Sequence, residues 1–166
     1  MRSLVLLFLG WTCWAQTPKA SEAVIRSWPE MIEVDGQMEL GRIAYVFDYV
    51  NGVAVERHFG ADGELVRQID RPNLEIGASD AEIEMAQEMV RQDPELARFL
   101  ATEGRVLDGG FILRESDPAP CGTGSRCIHI VAFDVDATHP VFHAVVDLVS
   151  GDVIYRNYTR TRRIQP

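Results

Sequence analysis

Alternating apolar and polar positions predict a run of β-strands in the last third of the chain. Between residues 141 and 149 the even positions are apolar, and the odd positions include His143 and Asp147. Because successive side chains of a strand point to opposite faces, this strand has one apolar face and one mixed face. Short turns separate the strands that follow one another here, so antiparallel neighbours are expected. The four predicted strands cover about residues 105–115, 126–136, 141–149 and 152–159.

A helical pattern precedes these strands. Ser79 followed three residues later by Glu82 has the spacing of a capping box, and apolar residues then recur at helical spacing. Asp93 and Pro94 suit the N-cap and first position of a second short helix. We expect these helices to cover the apolar face of strand 141–149. The acidic residues of the first helix are expected to form a solvated face, and they are Asp80, Glu82, Glu84 and Glu88.

The first half of the chain predicts a three-stranded β-meander over residues 41–71. Its β-rich runs cover about 41–50, 53–59 and 64–70. Asn51 and Gly52 separate the first two runs and indicate a two-residue type I′ turn, in which both residues have positive φ. Before the meander, the pattern favours a short helix at 21–27 and a strand around 31–34.

Together these patterns predict an α+β fold, with helices packed on a curled antiparallel four-stranded sheet and preceded by the three-stranded meander. The predicted division of the chain is a signal peptide at 1–15, an N-terminal segment at 16–40, the meander at 41–71, the α+β domain at 76–160 and a basic tail at 161–166.

The amino terminus predicts export. Arg2 precedes the apolar run "LVLLFLGW", which is too short to span a bilayer, and Cys13 and Ala15 are the small residues of a cleavage site. We therefore expect a periplasmic or secreted protein, with a lipoprotein anchored at Cys13 as the alternative. No later segment approaches the roughly 18 consecutive apolar residues of a membrane span. The formal net charge of -9 argues against a nucleic-acid partner.

The segments "SDAEIEMAQEMV" and "HAVVDLVSGDVIYRNY" resemble the cystatin-like α+β accessory domains at the N-terminal side of copper amine oxidases and, more loosely, PepSY-type secreted modules. The resemblance covers residues 76–160 and implies a cystatin-like fold with an accessory or binding role. The oxidases form their quinone from a tyrosine in a Thr-x-x-Asn-Tyr-Asp/Glu motif. Around Tyr158, this chain has Ile154 in place of the threonine and Thr159 in place of the acid, so no catalytic residue carries over.

Cys121 and Cys127 are the two cysteines that remain after signal removal. An even number of cysteines in an exported chain favours a disulfide, and the glycines between them allow the short loop to close. Such a disulfide ring contributes roughly 2 kcal/mol to the stability of the fold, and it would fix the entrance to strand 126–136. A redox role would be better supported by a Cys-x-x-Cys motif, and a zinc site would need two further ligands.

Three histidines lie among the predicted strands. His139 and His143 would stand about 13 Å apart on an extended strand, too far to share one metal ion. If residues 135 and 141 pair, His129 lies opposite Asp147, and His129, His143 and Asp147 share one face of the sheet. This face is either a half-solvated outer surface with a His–Asp contact or a weak ligand or metal site.

The sequence contains no Gly-x-Ser-x-Gly, P-loop or dinucleotide-binding motif, so we expect no enzyme activity and no cofactor. The leading interpretation is a non-catalytic, exported protein-binding or accessory module whose partner is a protein of the envelope or medium. The alternative is a small-ligand carrier or small enzyme. Its pocket would lie between helix and sheet, lined by Phe99, Phe111, Phe133 and Tyr155.

Overall fold

The computed structural model of the protein describes residues 21–72, 74–101 and 104–158. The first group of strands is β1 (Glu22–Val34), β2 (Gln37–Asp48), β3 (Val53–Phe59) and β4 (Leu65–Asp70), followed by helices α1 (Asp80–Gln92) and α2 (Pro94–Leu100). The second group is β5 (Val106–Leu113), β6 (Cys127–Phe133), β7 (Pro140–Asp147) and β8 (Asp152–Tyr155). Each group forms one antiparallel sheet, with strand orders β1-β2-β3-β4 and β5-β6-β7-β8. No helix in this described part of the chain is long and apolar enough to cross a membrane.

The predicted fold class is wrong. The described chain is mostly β-structure in two four-stranded antiparallel sheets, instead of helices on one four-stranded sheet after a three-stranded meander. The difference begins at β1, which pairs with β2 along almost its whole length. Residues 21–27, predicted as a helix, lie mainly in this strand, because cross-strand pairing outweighs weak local helix propensity.

The turn between β1 and β2 is not among the predicted turns. Asp35 and Gly36 have φ values of 51° and 80°, which are the left-handed conformations of a two-residue type I′ turn. At the predicted type I′ turn, only Gly52 has a positive φ, and a four-residue loop at 49–52 joins β2 to β3. The predicted hairpin is therefore confirmed, but its turn type is wrong.

Both predicted helix starts are confirmed. Ser79 accepts a hydrogen bond from the backbone N–H of Glu82, whose side chain accepts one from the N–H of Ser79. The Asp93 carboxylate caps α2 and also accepts hydrogen bonds from Arg156, after β8. Arg156 thus ties the end of the second sheet to the junction of the two helices.

The larger of two hydrophobic cores among the described residues joins both sheets and the helices. The helices cover the predicted apolar face of β7, as expected, through buried residues such as Ala86, Val90 and Leu96. Phe47 and Ala54, from β2 and β3, belong to the same core. The first sheet therefore packs against the second half of the chain.

A buried ion pair lies where these parts meet. Glu82, predicted to be solvated, is only 1% exposed, and Arg126 is 3% exposed. The Arg126 guanidinium donates two hydrogen bonds to the Glu82 carboxylate, at 2.8 and 2.9 Å. The Tyr49 hydroxyl donates a third at 2.9 Å, and the guanidinium lies 4.8 Å from the centre of the Phe47 ring. These contacts connect the first sheet, α1 and the residue preceding β6.

Candidate functional site

The face of the second sheet opposite the helices is partly covered by a second, smaller core. Cys121 and Cys127 form the predicted disulfide and are buried together with Val145. Tyr155 and Tyr158 pack against them. The predicted disulfide is confirmed. At the end of the face where it lies, the two cysteines and Val145 are buried.

His129 and His143 meet on this face, as predicted. They are diagonal neighbours across β6 and β7, because His129 pairs with Val145 and Val131 with His143. Nε2 of His129 lies 3.1 Å from Nδ1 of His143, while the ring centres are 5.2 Å apart with planes inclined by 18°. The two nitrogens therefore lie close to the line between the ring centres. This arrangement suits a near-linear hydrogen bond in which one imidazole donates and the other accepts.

Asp147 lies on the same face of the sheet as the two histidines, but at the end of β7, where its carboxylate binds backbone groups. It pairs with Cys127 instead of His129, because β6 ends at Phe133 and a long turn shifts the register by two residues. The Asp147 carboxylate accepts hydrogen bonds from the backbone N–H groups of Arg126, Val149 and Ser150. Asp147 thus stabilises the backbone around the turn after β7, and the predicted three-residue site is not assembled.

The third histidine is also separate from the pair. His139 lies in the exposed turn before β7, where its Nδ1 contacts Thr138 and Asp134. Across residues 21–72, 74–101 and 104–158, no group of three or more histidine, cysteine, aspartate or glutamate side chains is arranged to hold a metal ion.

An open cleft of about 740 Å³ lies over the histidine pair. Four consecutive residues of the chain, 111–114, form one wall of it, and they comprise the end of β5 and Arg114. The Phe111 side chain is 72% exposed at this wall. The complete lining is Glu75, Phe111, Ile112, Leu113, Arg114, His129, His143 and Tyr158.

The cleft lies on the face of the sheet opposite to the one that was expected to hold a pocket. Phe111 pairs with His129 across β5 and β6, so both face away from the helices. Of the other three aromatic residues proposed for a pocket between helix and sheet, Phe99 packs edge-on against Phe142, and Tyr155 belongs to the disulfide core. The space beneath the helices is occupied by the main core instead.

The surroundings of His129 favour its neutral form. Burial, followed by the proximity of His143, lowers the pKa of His129 below its ordinary value. The Tyr158 ring packs edge-on against it with centres 5.7 Å apart. The formally charged side chains that line the cleft beside the pair are Glu75 and Arg114.

This depressed pKa predicts a pH-dependent contribution to stability. The unfolded chain takes up a proton on His129 near pH 6.5, whereas the folded chain takes it up only at lower pH, so stability falls as pH drops below about 6.5. We expect His129→Gln to show a weaker loss between pH 7 and pH 5 than the wild-type chain. Urea unfolding at several pH values measures the free energy of unfolding of both chains. If it falls equally with pH in both chains, His129 does not contribute to the pH dependence.

The sequence predicted the two histidines on this face and Phe111 in a pocket on the other face, but not the remaining residues of the cleft. Glu75 lies in the segment before α1, and Arg114 and Tyr158 follow the ends of strands. None of these residues carries a recognisable motif, and only the folded chain brings them together.

Neither a protein-family model nor a curated protein matches the chain. The resemblance to accessory domains of copper amine oxidases therefore stays a prediction.

Proposed function

We propose that the protein is an exported, non-catalytic binding module, and that the cleft beside β5 takes an extended segment of a partner protein of the envelope or medium. One observation carries this proposal: consecutive residues of an edge strand form a wall of the cleft.

The position of β5 explains why a polypeptide suits this cleft. Since β5 is the first strand in the order of its sheet, one side of its backbone has no strand partner among the described residues. An added strand can bind such an edge through backbone hydrogen bonds, while side-chain contacts provide specificity. Phe111 offers a large apolar contact at this edge, and the histidine pair offers polar groups on the adjoining face.

Two features support export. The buried disulfide between Cys121 and Cys127 is typical of oxidising compartments. The charged and apolar pattern at the amino terminus is typical of a secretory signal. Both features fit a periplasmic or secreted protein, and a lipoprotein anchored at Cys13 is the alternative.

A small-ligand carrier is the second candidate, and the size of the cleft favours it. A volume of about 740 Å³ falls within the roughly 300–1,000 Å³ of small-molecule sites. A carrier of this kind would need the side chains of the cleft but not the free backbone edge of β5.

The experiment is a pull-down from the native envelope or medium with the wild-type chain and two variants. Phe111→Glu adds a charge at the cleft, while Val135→Glu adds one at a similarly exposed position outside it. We expect the wild type and Val135→Glu to recover the same partner protein and Phe111→Glu to lose it. If no partner is recovered, or if all three chains recover it equally, the proposed module function is wrong.

Native mass spectrometry distinguishes the second candidate. A wild-type chain purified from its own compartment would carry a bound small molecule if it were a carrier, and Phe111→Glu would release it. A protein partner without such a molecule favours the leading proposal.

A further inference from the structure

The β1–β2 hairpin extends beyond the rest of its sheet. The last pair between β2 and β3 is Arg42 with Phe59, whereas β1 and β2 remain paired as far as Val34 and Gln37. In this extension, Met31 pairs directly with Leu40. These paired residues present apolar side chains well past the end of β3.

The register places five apolar side chains on one face at this end of the sheet. Met31 pairs with Leu40, and Phe59 pairs with Leu65 across β3 and β4. Leu40 and Met38 alternate with Arg42 along β2, so they face the same way as Phe59. We name this set the distal apolar patch, and it consists of Met31, Met38, Leu40, Phe59 and Leu65.

The patch is open, whereas the opposite face of the hairpin is anchored. Met31, Met38, Leu40 and Leu65 are 48% to 64% exposed. On the other face Ile32 is only 4% exposed, and the Glu39 carboxylate accepts a hydrogen bond from the backbone N–H of Ala61. The hairpin is thus held from one side and presents apolar side chains on the other. These side chains form a group, unlike the single exposed apolar residues that are normal on protein surfaces.

The charge around the patch is strongly negative. Residues 29–42 and 59–66 contain one basic side chain, Arg42, whose guanidinium lies 4.1 Å from the centre of the Phe59 ring. The same segments contain six carboxylates, from Glu30, Glu33, Asp35, Glu39, Asp62 and Glu64. Of these, Glu33 shares the face of the patch and Asp35, Asp62 and Glu64 lie in the adjoining turns, whereas Glu30 and Glu39 face the opposite side. A complementary surface would therefore combine apolar side chains with lysine or arginine.

We propose that the distal apolar patch is a docking surface for a cationic, amphipathic segment of a second protein. The flexible thioethers of Met31 and Met38 adapt to different apolar shapes. A second copy of this chain fits poorly, because a symmetric contact would bring the same carboxylates together. The patch lies on the first sheet and the cleft on the second, so this proposal does not depend on the proposed cleft function.

Methyl NMR of methionine tests the proposal within the intact chain. The chain labelled with ¹³C at the methionine methyl groups is titrated with a synthetic amphipathic peptide of lysine and leucine, and with the same peptide carrying glutamine for lysine. We expect saturable shifts of the Met31 and Met38 signals with the lysine peptide only. Met85 and Met89, on α1, serve as internal controls and should not move.

Variants separate specific docking from general attraction between opposite charges. Leu40→Ser should abolish the saturable shifts. The double change Glu33→Gln and Glu64→Gln should weaken binding about two- to fivefold, whereas Glu84→Gln, on α1, should leave it unchanged. The proposal is overturned if the glutamine peptide binds equally, if Met85 shifts alongside Met31, or if the Met31 and Met38 signals move with protein concentration alone, which would indicate a second copy.

Discussion

Replacing Arg126 with methionine is expected to lower the free energy of unfolding by about 3–5 kcal/mol at pH 7. Methionine keeps most of the apolar stem but removes the guanidinium, so the Glu82 carboxylate stays buried without its charge partner. It also removes the donors to the backbone oxygens of Ile76 and Gly77. Chemical denaturation of the variant and the wild type measures the loss.

The pH dependence of this loss identifies its cause. In the wild type, burial acts to raise the pKa of Glu82, but hydrogen bonds and charge from Arg126 outweigh burial and hold the pKa below 4.5. The stability from the pair is thus present above pH 4.5 and is lost as the carboxylate takes up a proton at lower pH. Without Arg126, burial raises this pKa, so the variant should be most impaired at pH 7 and approach the wild type near pH 4.5.

A matched surface pair provides the control. Arg91 and Glu88 form an ion pair on α1, but both side chains are about half exposed. Arg91→Met should change the free energy of unfolding by no more than about 0.5 kcal/mol. In addition, Glu82→Gln together with Arg126→Met should recover part of the stability lost by Arg126→Met alone, because no buried charge remains. Equal effects at the buried and surface pairs would contradict the described core.

Gly52→Ala is expected to destabilise the chain by about 2–5 kcal/mol. Gly52 has a φ of 65°, and a β-carbon there would lie 2.4 Å from the backbone oxygen of Gly124. Gly52 belongs to the turn after β2, while Gly124 lies between the two disulfide cysteines. The loss of stability in Gly52→Ala therefore reports how closely the turn after β2 approaches the loop between the two cysteines.

Gly36→Ala separates this contact from backbone strain. Gly36 has a φ of 80°, but a β-carbon there would meet no atom within 4 Å beyond its chain neighbours, so only the left-handed conformation opposes the change. We expect a loss of about 1 kcal/mol for Gly36→Ala, measured by urea unfolding alongside Gly52→Ala. If the two variants lose the same stability, the close approach of Gly52 to Gly124 is absent.

Local signals in the sequence predicted the elements better than their assembly. The capping box at Ser79, the Asp93–Pro94 helix start and the alternation along β7 depend on neighbouring residues, and all three are confirmed. The long β1–β2 hairpin depends on the turn at Asp35 and Gly36, and Asp-Gly is as typical of type I′ turns as Asn-Gly. Because that turn was missed, β1 was predicted only as a short strand around 31–34 after a helix at 21–27, and the fold class was wrong.

The site was predictable only in part, for a similar reason. Alternation put His129 and His143 on one face, but the register between their strands depends on the length of the turn that joins them. Glu82 looked like a solvated acid because its partner Arg126 is 44 residues away in the sequence. Long-range pairing of this kind cannot be derived from residue spacing.

Hydrogen exchange of the β5 backbone shows whether a partner segment adds to this edge. The partner recovered in the pull-down is added to the chain, and exchange of the amides of residues 111–114 is compared with and without it. If an extended segment adds to the β5 edge, exchange should slow in this stretch, because outward-facing amides gain hydrogen-bond partners, while β1 and β4 remain unchanged. If the partner binds without slower exchange at residues 111–114, the β5 edge does not take an extended segment.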